Sequence, residues 1–102
     1  MKFTPIFLRR FEEELEEILT FINEKYSKKY VQQFLFQIEK CIDSLMQFPY
    51  LGVKYDAYTI HEYRKLNFKD FSIYYRVVEE QKKIYFVKIM TSKIKDRTII
   101  LN

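Results

Sequence analysis

Five cations dominate the chemistry available to this chain. Arg64 and Arg76 lie in stretches that read as strands, and Lys93, Lys95 and Arg97 follow in TSKIKDR near the C-terminus. Cations of this kind either hold an anionic partner or stabilise the charge that develops when a 2′-OH attacks a phosphorus. The second task also needs one group to take a proton and another to return it. His61 is the single histidine, and Tyr74 and Tyr75 precede Arg76 directly. One His and one Cys cannot build a zinc shell, so no metal or other cofactor is expected. Cys41 sits in a helical apolar pattern, which predicts a buried, inert thiol. Each of these residues also has a plainer role. A strand Arg can pair with a carboxylate or a backbone carbonyl, and a lone strand His is commonly a hydrogen-bonded surface residue.

The charge is unevenly placed. Residues 1–52 carry 7 Lys/Arg and 8 Asp/Glu, a net of −1, whereas residues 53–102 carry 11 and 6, a net of +5. The basic half would attract nucleic acid or an acidic protein surface, although such an excess also serves solubility.

The elements that must position these residues follow from periodicity. Lys2 to Phe7 reads as an edge-type strand, because Pro5 is tolerated at a sheet edge. Leu8, Phe11, Leu15, Ile18, Leu19 and Ile22 recur at helical spacing, predicting a helix from about Arg9 to Glu24. The intervening Glu12, Glu13, Glu14, Glu16 and Glu17 are expected to form a solvated face, the first of them complementing the helix dipole. A second helix carries Val31, Phe34, Leu35, Ile38, Ile42 and Leu45 on one face, with Ser27 a candidate cap and Pro49 and Gly52 as stops. The short connection makes the two helices antiparallel neighbours. Three strands follow, at about Tyr58 to Leu66, Phe71 to Val78 and Ile84 to Met90. Turns at Asn67 to Asp70 and Glu79 to Lys83 join them. The third is nearly continuous in apolar residues, as a central strand buried on both faces would be. The role of the tail from Thr91 to Asn102 stays open.

The expectation is a single α+β domain over residues 1–102. It consists of a strand, an antiparallel helical hairpin and a three-stranded antiparallel meander, forming one twisted sheet with the helices on one face. No apolar run approaches the roughly 18 residues that a membrane span needs. The N-terminus lacks the features of a signal peptide, so a cytoplasmic location is expected.

The order of these pieces, and the residues within them, resemble the RelE/ParE toxin superfamily of bacterial type II toxin–antitoxin systems, which includes plasmid stabilisation proteins. PIFLRRFEEELEEI (Pro5 to Ile18) is similar to the family's opening strand and first helix. LMQFPYLG (Leu45 to Gly52) is similar to its helix-ending pattern of Leu, Pro and Gly. YRKL (Tyr63 to Leu66) resembles its Arg-bearing strand, and FSIYYRVV (Phe71 to Val78) the strand in which an aromatic precedes Arg and Val. IYFVKIM with TSKIKDR resembles the last strand and its basic end.

The resemblance implies a growth-inhibiting toxin neutralised by a cognate antitoxin. One branch, RelE-like, cuts messenger RNA on the ribosome without a metal, and the other, ParE-like, poisons DNA gyrase without cutting. Cleaving members carry a Tyr or His just after the last strand, and TSKIKDRTIILN has neither. The ParE-like reading is therefore favoured, with Arg64, Arg76, Lys93, Lys95 and Arg97 as the basic target-binding set. The alternatives are a RelE-like endoribonuclease using Arg64, Arg76 and Lys93, and an inactive member that only binds its partner. Phe21, Tyr26, Tyr30 and Phe36 lie off the main helical stripes and are candidates for antitoxin contact or for helix–helix packing.

Overall fold

The computed structural model describes residues 2–55 and 61–91. Strand β1 (Thr4–Phe7) leads into helix α1 (Arg9–Lys25) and helix α2 (Lys28–Gln47). Strands β2 (Val53–Tyr55), β3 (Tyr63–Phe68), β4 (Phe71–Val78) and β5 (Lys83–Thr91) follow, with a 3-10 turn at Glu79–Gln81 before β5. They form one sheet in the order β1-β5-β4-β3-β2, antiparallel except that β1 runs parallel to β5. Pro5 stands on the outer strand, where its missing N–H costs no ladder bond.

The helical hairpin covers one face. Phe11, Ile18 and Ile22 of α1 and Phe34, Ile38, Cys41, Leu45 and Met46 of α2 bury themselves against Phe71, Ile73 and Tyr75 of β4 and Ile84, Phe86 and Ile89 of β5. This is the expected α+β sandwich. The differences are local. Strand β2 follows the Pro49–Gly52 stop so closely that its three residues show too little alternation to be read from sequence. Strand β3 starts at Tyr63 and runs on to Phe68; residues 58–60 of the expected strand lie outside the described residues. Ser27 does sit at the start of α2, but its hydroxyl makes no capping bond; its carbonyl instead accepts from the Tyr30 and Val31 N–H groups. Strand β5 is central, yet only one of its faces is buried: Ile84, Phe86 and Ile89 point to the helices, while Tyr85 and Lys88 are half-buried and Met90 is exposed. Long amphipathic side chains cover that second face with their own stems, so the strand reads as apolar without being enclosed.

The register between β4 and β5 slips once: Tyr74 pairs with Lys88 but Tyr75 with Phe86, leaving Val87 as the extra residue of a bulge. Next to it the Ile89 N–H donates to Glu14 Oε1 at 3.0 Å. The other oxygen of Glu14 pairs with Arg10 at 3.2 Å. One residue of the glutamate run is therefore not simply solvated. It reaches across the helix–sheet interface to satisfy a backbone donor that would otherwise lose a partner.

Candidate functional site

Residues opposite each other in the register share a face of the sheet, and neighbours along a strand do not. Arg64 pairs with Tyr75 and Lys65 with Tyr74. Because β4 alternates regularly through Tyr74, Tyr75 and Arg76, Arg64 falls on the helix-covered face and Arg76 on the open one. The two arginines stand on adjacent strands, but they do not converge.

Arg64 is held at the rim of the core, its side chain 16% exposed. One nitrogen donates to the Gly52 carbonyl at 2.7 Å and another pairs with Glu62 at 2.9 Å. The guanidinium also lies 4.8 Å from the centre of the Tyr50 ring. Glu62 in turn faces Lys54 at 3.7 Å. Gly52 is gripped from the opposite side as well, its N–H donating to the Tyr75 hydroxyl at 2.8 Å. A Cβ at Gly52 would come within 2.8 Å of both that hydroxyl and the Lys65 carbonyl, so only glycine allows the chain to pass here. Arg64 and Tyr75 together fasten the segment that follows α2 onto β3 and β4.

Two further effects follow from this packing. Burial pushes the Tyr75 phenol up, against the opposing pull of the Gly52 N–H. Tyr50 donates to Glu79, which holds the phenol at about 12 and the Glu79 carboxyl below its usual range. The two phenols nearest Arg64 thus hold their protons more tightly than a free tyrosine, a poor setting for proton transfer near neutral pH. Cys41 is fully buried, and burial raises its thiol to about 12, as expected of an inert thiol.

The open face has a different character. Lys65, Tyr74 and Lys88 form a row across β3, β4 and β5, with Arg76 and Tyr85 as the next row. Tyr55 of β2 meets Tyr74 edge-on at 5.0 Å, and the Lys65 ammonium lies 5.6 Å from the Tyr74 ring. No Asp or Glu stands on this face in β2 to β5. Lys65 and Lys88 flank Tyr74, one strand away on either side, about 10 Å apart. This is a cationic, aromatic surface without counter-charges. The sequence analysis found Arg76 but not Lys65 and Lys88. Their signal was register, because a Lys counts as a site residue only once its neighbours across the sheet are known.

Lys93, Lys95 and Arg97 lie outside the described residues. Of the four aromatic candidates for a partner, Phe21 packs against the core from α1. Tyr26, Tyr30 and Phe36 are each about half exposed, with Lys40 over the Phe36 ring at 5.1 Å. His61 lies in the bend before β3. Among the described residues no group of three or more His, Cys, Asp or Glu could hold a metal ion, and no helix is long and apolar enough to cross a membrane.

This sheet and hairpin define a known class of small α+β proteins. Over residues 6–95 the sequence matches the family described as ParE toxin of type II toxin-antitoxin system, parDE. The chain belongs to that family. Solved structures agree in fold. A chromosomal ParDE toxin–antitoxin system from P. aeruginosa superposes with a TM-score of 0.70 at 17% identity, covering 88% of this chain and 96% of that one. A chain of the RelBE2 toxin–antitoxin complex from Mycobacterium tuberculosis gives 0.59 at 12% identity, covering 89% and 99%. The isolated RelE toxin of E. coli gives 0.57 at 12%, covering 97% of each. No curated protein matches the sequence.

Proposed function

We propose that this chain is a ParE-like toxin that arrests bacterial growth by binding its target rather than by cutting RNA. The observation that carries the reading is the division of the cations between the two faces. Arg64 is occupied in holding the Gly52 segment, while Lys65, Arg76 and Lys88 form a basic surface with no carboxylate among them. Cations meant to stabilise one phosphorane would have to converge on one point. Cations spread over a sheet suit an extended anionic or acidic surface. The resemblance that favours the ParE branch makes DNA gyrase the expected target, in the cytoplasm.

The P. aeruginosa and M. tuberculosis neighbours come from toxin–antitoxin pairs, which supports a cognate antitoxin as the partner of this chain. One feature favours a RelE-like endoribonuclease as the second reading: Tyr55 and Tyr74 beside Lys65 offer aromatic and cationic groups on which bases could stack.

Induced expression in a bacterial host separates the two. Labelled precursors of DNA and protein are followed over the first minutes. An early fall in DNA synthesis, lost in the Lys65→Ala, Arg76→Ala, Lys88→Ala triple variant, is the expected result. An early fall in protein synthesis, with messenger RNA cut in a translating extract, would overturn the binding reading. No growth defect at all would point to an inactive member.

A further inference from the structure

The tip of the helical hairpin carries a feature that the target-binding face does not use. A cleft of about 370 Å³ opens between the junction of α1 and α2 and the β3–β4 turn. Ile22, Phe34 and Phe71 form its apolar floor, all of them nearly fully buried. Tyr26 and Tyr30 stand at its walls, their rings 5.5 Å apart, and Lys69 closes the far side. Tyr26 is 48% exposed and Tyr30 51%, so two large aromatic rings border an apolar hollow without being covered by it.

The charge around the cleft is one-sided. Lys25, Lys28 and Lys29 cluster at the hairpin junction and Lys69 faces them across the opening. None of the four takes part in an ion pair among the described residues. Lys69 also adopts φ 54°, in the left-handed region that a residue with a Cβ enters at a steric cost. Its side chain is thereby fixed at the first position of a two-residue turn, close to the aromatic pair. An apolar hollow with aromatic walls and a ring of unmatched cations suits a peptide that inserts aliphatic side chains and surrounds them with carboxylates.

We propose that this cleft is the anchor site for an acidic, amphipathic segment of the antitoxin, separate from the surface that meets the target. The proposal rests on the toxin–antitoxin reading above. It names the chemistry of the segment: aliphatic residues at helical spacing, i and i+3 or i+4, with Glu or Asp between them. Binding there leaves Lys65, Arg76 and Lys88 uncovered by the anchor itself.

The probe is a fluorescent 14-residue peptide with Leu at that spacing and Glu at most other positions, titrated against the full chain by anisotropy at about 0.1 M salt. The expected result is saturable binding that weakens about tenfold, equivalent to about 1.4 kcal/mol, in each of Tyr30→Ala and Lys69→Glu. A matched peptide with Lys in place of Glu should not bind. Tyr30 is half exposed, so its truncation should leave the fold intact, and Tyr30→Phe should retain binding because the ring is kept. Equal affinity of wild type and both variants, or no saturable binding, would overturn the proposal.

Two other occupants would also overturn it. If Ile99→Asp with Leu101→Asp strengthens peptide binding, the chain's own C-terminal segment fills the cleft. If light scattering finds a dimer that Tyr30→Ala disperses, a second copy does. Growth arrest on induction reports the toxin reading independently: wild-type arrest that persists in Tyr30→Ala, together with lost peptide binding, is the signature expected here. Loss of arrest in wild type would strike the toxin reading and leave the cleft measurement standing.

Discussion

Tyr74 and Tyr75 are neighbours in sequence and opposites in the molecule. Tyr75 points into the helix-covered face, is fully buried and accepts the Gly52 N–H. Tyr74 points to the open face and is surrounded by Tyr55, Lys65 and Lys88. The same contrast separates Arg64, bound to backbone and carboxylate at the rim of the core, from Arg76 on the open sheet. One face of β4 therefore builds the fold and the other is left available for a partner. Residue type alone does not say which is which, because alternation assigns the face and the register assigns the neighbours.

The largest expected difference lies between the tyrosines. Tyr75→Ala removes a buried ring and its hydrogen bond, and should cost about 3–5 kcal/mol in urea unfolding. Tyr74→Ala should cost about 1 kcal/mol, the worth of its aromatic contacts. Equal losses would mean that the two faces are not distinct in energy.

Gly52 comes next. A methyl group there meets the Lys65 carbonyl and the Tyr75 hydroxyl at 2.8 Å. The backbone cannot yield easily, so Gly52→Ala should destabilise by about 1–3 kcal/mol. In Tyr75→Phe the lost hydroxyl frees space, so the same Gly52→Ala change should cost less. A double-mutant cycle measures that coupling.

The arginines should separate stability from toxicity. Arg64→Ala strips a partner from the Gly52 carbonyl and from Glu62, an expected loss of about 1–3 kcal/mol. Arg76→Ala should change stability by no more than about 0.5 kcal/mol, while weakening growth arrest. A stable but fully toxic Arg76→Ala variant would remove that residue from the target surface.

The smallest effect is electrostatic. Tyr50 holds its proton up to about 12 in the folded chain, against an ordinary 10, because it donates to Glu79. Its folded pKa is raised, so the stabilisation is complete below pH 10 and is lost as pH rises from there through about 12. Urea midpoints should therefore fall between pH 9.5 and 11, and Tyr50→Phe should flatten part of that fall. In an absorbance titration at 295 nm, the same substitution should remove a late-ionising phenol.

Much of the architecture was legible in the residues. The stripe Phe11–Ile18–Ile22 marks α1, and FSIYYRVV marks β4 to the residue, because burial against a single partner layer imposes a period on the chain. Strand β2 was not legible, since three exposed residues carry no period. Nor was the role of Glu14: a carboxylate inside a run of glutamates shows no sign that a bulge on β5 will present it with an N–H. Lys65 and Lys88 were passed over for the same reason, as single lysines whose meaning lies in the strand next to theirs.

The sequence by itself determined the elements, the class of the sheet and the uneven charge, since propensity, periodicity and net charge are local or additive properties. Tertiary structure decided which cation builds and which is left free. It also decided that Gly52 must be glycine and where the hairpin tip leaves a hollow. These depend on register and on close approach between segments distant in the chain, and no local property of either segment carries that information.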